Sequence, residues 1–98
     1  MEIKKKKDGE SLKIALEGRL DTSTAPSLEG ALKEEITGVT DLEFDFAKLE
    51  YISSAGLRVL LSTQKIMNTQ GTMKVKNVCP EIMEVFDITG FSEILTIE

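Results

Sequence analysis

Apolar residues recur along this chain at two periods, and the changes of period mark out its elements. Ser11 to Glu17 alternates, with Leu12, Ile14 and Leu16 on one side and Ser11, Lys13, Ala15 and Glu17 on the other, the pattern of a half-buried strand. Met1 to Lys7 precedes it across Asp8-Gly9, a dipeptide suited to a tight turn, so a β-hairpin is expected. The run Lys4 to Lys7 fits an exposed edge strand, where lysine discourages stray pairing. It has no aromatic neighbours to suggest a nucleic-acid or lipid patch. Gly18 to Thr24 reads as a loop ending in helix-capping residue types, and Pro26 suits a first helical turn. Leu28, Ala31, Leu32 and Ile36 then repeat at spacings of three and four, one face of a helix that Gly38 ends.

Alternation returns at Asp41 to Phe46, with Leu42, Phe44 and Phe46 on one side. Ala47 to Ile52 reads as a short loop that turns into Ser53-Ser54-Ala55-Gly56. Leu57, Leu60, Leu61 and then Gln64 or Met67 mark a second helix, with Val59 and Ile66 at its flanks and Gln70-Gly71 closing it. Met73, Val75 and Asn77 alternate with Lys74 and Lys76. Pro80 opens a third helix carrying Ile82, Val85, Phe86 and Thr89 on one face, with Gly90 past its end. Ile94, Leu95 and Ile97 suggest a last short strand. The order is β-β-α-β-α-β-α-β. Right-handed crossovers then favour an α/β (α+β) architecture, a mixed and mostly parallel sheet of about five strands with amphipathic helices packed on it. At 98 residues the chain is expected to form one domain spanning positions 1–98.

Composition narrows the chemistry. Seventeen acidic against twelve basic residues give a net charge of −5, which argues against direct binding of nucleic acid. The chain has no histidine. This removes the commonest general base, the Ser/His/Asp and Cys/His arrangements and most zinc sites. The single cysteine, Cys79, cannot form an intramolecular disulfide, and between Val78 and Pro80 it reads as a buried, inert thiol. No run of about 18 apolar residues is present to insert in a membrane, and Met1 to Lys7 lacks the apolar stretch of a secretory signal. The expectation is a cytoplasmic protein without cofactor, metal or enzymatic activity.

The stretch Ile52-Ser53-Ser54-Ala55-Gly56-Leu57 holds more than a helix start needs. One serine suffices as a cap, accepting a hydrogen bond from an N–H two or three residues on for about 1 kcal/mol. Gly56 costs roughly 1 kcal/mol against alanine inside a helix, so something must approach its backbone closely. A hydroxyl at a helix N-terminus can be a nucleophile, a phosphate-binding group or a phosphorylation site. The nucleophile lacks a base, and the Gly-rich pattern of a tight nucleotide site is missing. Phosphorylation fits best, because the helix dipole tolerates the added −1.5 to −2 charges.

Ile52-Ser53-Ser54-Ala55-Gly56-Leu57-Arg58-Val59-Leu60 resembles the characteristic loop and helix of STAS domains, the sulfate-transporter and anti-sigma-factor-antagonist family. Leu16-Glu17-Gly18-Arg19-Leu20-Asp21 resembles the family's L-x-G-x-L-D segment, and Leu42 to Phe46 followed by Leu49 to Ile52 resembles its central strand and approach loop. Phe86-Asp87-Ile88-Thr89-Gly90-Phe91 resembles its last helix and closing glycine. Their order and spacing cover nearly the whole chain. The family motif reads D-S-[ST]-G-L, and its first hydroxyl takes a phosphate. Aligned on Gly56, that position is Ser54. The acidic position falls on Ser53, which becomes a second-choice acceptor, and the second hydroxyl position falls on Ala55.

The resemblance implies an anti-sigma factor antagonist that works by partner switching. Unphosphorylated, such a protein binds an anti-sigma factor that is also a serine kinase; phosphorylation releases it and a serine phosphatase restores it. The docking patch would comprise Ser53, Ser54, Ala55, Gly56 and Arg58 with Asp21, Thr22, Ser23 and Thr24. Asp21 matches the family's acid after the second strand and equally suits a turn or helix cap. Two alternatives stay open: a STAS-type module for a nucleotide or lipid, and a fixed accessory subunit of a larger complex.

Overall fold

The computed structural model describes residues 1–98. Its elements are β1 (Glu2–Asp8), β2 (Ser11–Leu20), α1 (Ala25–Glu35), β3 (Asp41–Ile52), α2 (Ser54–Gln70), β4 (Thr72–Lys76), α3 (Pro80–Thr89) and the single turn α4 (Phe91–Ile94). The four strands stand side by side in chain order, with β1 antiparallel to β2 and with β3 parallel to both β2 and β4. Each β-α-β crossover steps the same way along the sheet, so right-handed connections place α1 and α2 on one face. That face carries the predicted alternation: Leu12, Ile14, Leu16, Leu42, Phe44, Phe46, Met73 and Val75 are all buried, in one core with Leu28 and Leu32 of α1, Leu60 and Met67 of α2, and Ile82 and Phe86 of α3. Burial of each such side chain contributes about 1.5–3 kcal/mol.

The lysine run divides by register. Lys5 and Lys7 lie opposite Ile14 and Leu12, on the core side of β1. There they reach the end of α1, where Lys5 Nζ is 3.7 Å from Glu35 Oε1 and Lys7 Nζ donates to the Glu35 carbonyl at 3.5 Å. Cations at a helix C-terminus complement its dipole. Lys4, opposite Ala15 on the other side, pairs with Glu17 at 2.9 Å.

Five boundaries differ from those the pattern suggests. β2 continues through Gly18 to Leu20, and β3 continues through Ala47 to Ile52, because the two pair to their ends (Glu17 with Lys48, Leu20 with Ile52). Register shifts after Ala15 and after Gly18 expose Ala47 with Lys48 and Glu50 with Tyr51 in succession, which breaks the alternation without breaking the ladder. The last strand is reduced to one bridge. Val75 donates to the Thr96 carbonyl and accepts from the Glu98 N–H, both at 2.9 Å, while Ile94 belongs to α4, giving four strands rather than about five. Helix α1 stops at Glu35, ahead of Gly38, and Asn77 lies beyond β4 in a left-handed conformation (φ 59°). Several positions read as inward-facing are less enclosed: Ile66, Thr89 and Ile94 are exposed, Leu61 and Val85 are half-buried, and so is Cys79, its thiol 3.9 Å from the Leu49 carbonyl.

The junction of α2 with β4 depends on Gly71. A Cβ there would run into the backbone of Thr40, whose carbonyl accepts from Thr72 N–H at 2.9 Å. Gln70 beside it donates to the carbonyls of Ile36 (2.8 Å) and Val39 (2.6 Å), which closes the end of α1. Gly71→Ala is therefore expected to destabilise the fold by about 2 kcal/mol or more, since backbone must move to admit the methyl. Gly30 sits in α1 with nothing within 4 Å of its added Cβ, and Gly30→Ala is expected to stabilise by about 0.5–1 kcal/mol. Urea unfolding of the two variants checks both signs.

Candidate functional site

The ends of two adjacent parallel strands build the site. Beyond the last pair, Leu20 with Ile52, the N–H of Ser53 donates to the Leu20 carbonyl at 2.9 Å. The chain then enters α2 while β2 turns away into the loop Asp21 to Thr24, so both segments meet at the carboxyl end of the sheet. In open α/β sheets that end is where ligands are met.

The two serines do different work. Ser53 is the N-cap of α2, in an extended conformation, and its Oγ accepts from the Gly56 N–H at 3.5 Å. Ser54 is the first helical residue and is exposed. The cap thus needs only Ser53, and the Ser54 hydroxyl stands at the positive end of the helix dipole without a capping role. Gly56 is buried, and its neighbours explain it: an added Cβ would lie 2.7 Å from Leu20 Cγ and 2.9 Å from Ile52 Cγ1. The close approach inferred from sequence is made by the chain's own core, against which Gly56 is buried. It acts by letting α2 settle on the strand ends.

Asp21 organises the neighbouring loop. Its Oδ1 accepts from Ser23 Oγ at 2.8 Å, Ser23 N at 3.0 Å and Thr24 N at 3.2 Å. Thr24 Oγ1 accepts from Asp21 N and donates to the Arg19 carbonyl, both at 2.8 Å. Ser23 first, then the N–H groups of Thr24 and Ser23, holds the Asp21 carboxyl below the usual carboxylate range against the opposing effect of desolvation. In the structure Asp21 bridges this turn. Thr24 occupies the N-cap position of α1, but its hydroxyl is engaged backwards and makes no cap bond.

Thr22, Ala55 and Arg58 come together in a groove of about 350 Å³ between the first turns of α1 and α2, floored by Ala25 and Val59. Thr22, Ser23, Ser54 and Arg58 are exposed, and Ser53, Ala55 and Asp21 are half-buried. Sequence reasoning missed Arg19 and Tyr51. They are register partners, and the guanidinium lies 4.1 Å from the Tyr51 ring centroid, with Nε 3.9 Å from Asp21 Oδ2. Only the irregular pairing of β2 with β3 brings them opposite one another, so no local pattern announces them.

Two outcomes test this geometry. Gly56→Ala should cost roughly 1–3 kcal/mol by overpacking, despite alanine's better helix propensity, because Leu20 and Ile52 are buried and cannot retreat. A depressed carboxyl pKa contributes stability that is present above the unfolded value, about 3.9, and is lost as pH falls through the lower folded value. Asp21→Asn should therefore remove part of the acid-side loss of stability, read from thermal melts across the acidic range.

Comparison with known proteins agrees with this architecture. The family model described as "Mlab, STAS domain" matches residues 3–96. The chain is 36% identical over 84 residues to BtrV of Bordetella bronchiseptica, covering 84% of this chain and 72% of BtrV. It is 29% identical over 93 residues to the anti-sigma-B factor antagonist of Bacillus subtilis, covering 94% and 85%. Among solved structures, the anti-sigma factor antagonist SpoIIAA in its unphosphorylated form superposes with a TM-score of 0.79 at 20% identity, covering 99% of this chain and 87% of that one. Its phosphorylated form gives 0.78 at 20% identity, covering 99% and 91%. A match over nearly the full chain, on a sheet whose strand ends carry the Ser53-Ser54-Ala55-Gly56-Leu57 turn, makes this chain a member of the STAS domain family.

Proposed function

We propose that this chain is a cytoplasmic anti-sigma factor antagonist that works by partner switching, without catalytic activity of its own. In its unphosphorylated form it binds an anti-sigma factor with serine-kinase activity. The kinase transfers the γ-phosphoryl group of ATP to Ser54: the Oγ–P bond forms, the bond to ADP breaks, and the hydroxyl proton passes to the kinase. The pair then separates, and a serine phosphatase returns the hydroxyl. Family membership and the names of the relatives support this reading. The observation that carries it is the division of labour at the start of α2, where Ser53 caps the helix and Ser54 is left exposed.

Phosphate at the first helical position leaves the fold intact, because the dipole favours negative charge there. The cost falls on the partner, which would have to bury a doubly charged, strongly hydrated group beside its own acidic groups or nucleotide phosphates. The patch around it comprises Thr22, Ser23 and Thr24 of the β2–α1 loop with Ser53, Ala55 and Arg58, held in place by Asp21 and Gly56. The structure itself contains no helix long and apolar enough to cross a membrane.

Reaction with ATP and the anti-sigma factor kinase of the same genome, followed by mass-spectrometric mapping, should place phosphate on Ser54. Label outside Ser53 and Ser54 would refute the assignment. Ser54→Ala should bind the partner and resist phosphorylation. Ser54→Asp should bind more weakly by about a hundredfold, equivalent to ~3 kcal/mol.

A further inference from the structure

We propose that the Arg19–Tyr51 pair is a docking element for an acidic group on the protein partner that engages Ser54, an inference that rests on the partner-switching reading. Three observations carry it. The pair lies at the same strand ends as the serine turn, one register step before Leu20 and Ile52, and Leu20 is tied to Ser53 through its carbonyl. It is also exposed and already engaged within the chain. The Arg19 side chain is 60% and Tyr51 41% accessible, yet the guanidinium is stacked on the ring and steadied at Nε by Asp21. Asp21 is itself fixed by Ser23 and Thr24. Finally, arginine is sparse here. Arg19 and Arg58 are the chain's only two arginines, every other basic residue being lysine, and they lie in β2 and α2, the two elements that meet at Ser53.

Arginine and tyrosine are over-represented among the residues that dominate protein interfaces. A guanidinium held by a ring and a carboxylate loses little rotamer freedom on binding, and its planar fork receives a carboxylate through two parallel hydrogen bonds. A carboxylate rather than an apolar group is the matching occupant, because Asp21 approaches Arg19 only at Nε and at 3.9 Å, and apolar cover would desolvate the guanidinium without adding a partner. The arrangement also couples docking to modification. A partner carboxylate gripped beside this turn meets like charge when Ser54 carries phosphate, which adds repulsion to the desolvation cost.

The test is titration calorimetry of the full chain against the purified anti-sigma factor of the same genome, at low and high salt. Arg19→Gln is expected to weaken binding by about tenfold and Tyr51→Leu by about fivefold, the range of interface anchors. Arg19→Lys should recover only part of the loss, because it restores charge without the planar stack. Lys65→Gln, on the exposed side of α2, should bind like the parent chain. Affinity of the parent chain should fall with salt more steeply than that of Arg19→Gln, a difference that a merely structural role would not produce. Binding of Arg19→Gln and Tyr51→Leu at parent strength, with Ser54→Asp still released, overturns the inference and leaves the switch standing. Failure of the parent chain to bind overturns both.

Discussion

Gly56 rests on Leu20 and Ile52 with no room for a methyl group between them. That contact fixes where α2 begins. The last residues of β2 and β3 supply a small apolar platform, and a residue without a side chain lets the helix settle on it. Once the third residue of α2 is seated, the orientations of the N-cap and of the first helical residue follow. Ser53 turns its hydroxyl to the Gly56 N–H, and Ser54 points outward. The exposed hydroxyl is thus a consequence of core packing one turn away. A helix held only by its own caps would fray there, because its first N–H groups have no intrahelical partners.

The second half of the surface is ordered by polar rather than apolar contacts. Asp21 gathers Ser23 and Thr24, Thr24 ties back to the Arg19 carbonyl, and Arg19 lies between Asp21 and Tyr51. The bonds among Arg19, Asp21, Ser23 and Thr24 are short in sequence, so the loop is a unit hung from the end of β2, and the Arg19–Tyr51 stack ties it to β3. Its link to the serine turn is the Ser53–Leu20 backbone bond together with the pairing of the two strands. The sheet therefore sets the spacing of both halves, while each half sets its own detail.

Much of this was legible before any coordinates. Strict alternation at Leu12–Leu16 and Leu42–Phe46 and the three-four spacing of Leu28, Leu32, Leu57 and Leu60 each found a buried face, because one-sided burial leaves that imprint. The turn Ser53 to Gly56 stood out as a cap with residues to spare. The hidden parts were those where pairing is irregular. Ala47 and Lys48 sit at a register shift, so two successive exposed residues imitate a loop inside a continuous strand. The chain end joins the sheet by a single bridge at Ile97, too short to impose a period. Arg19 and Tyr51 are 32 positions apart and meet only through the shifted register. Gly56 was recognised as a point of close approach, but its neighbour Leu20 lies on a different strand, which spacing alone does not reveal.

Amide chemical-shift mapping of the unphosphorylated chain, titrated with its anti-sigma factor, tests the central claim most directly. The account requires the perturbed residues to cluster at the carboxyl ends of β2 and β3, at Arg19–Thr24 and Tyr51–Arg58, and the cluster to vanish when Ser54 carries phosphate. Perturbation centred instead on the far sheet face, at Lys13 and Lys74, or on α3, and unaltered by phosphate, would contradict it.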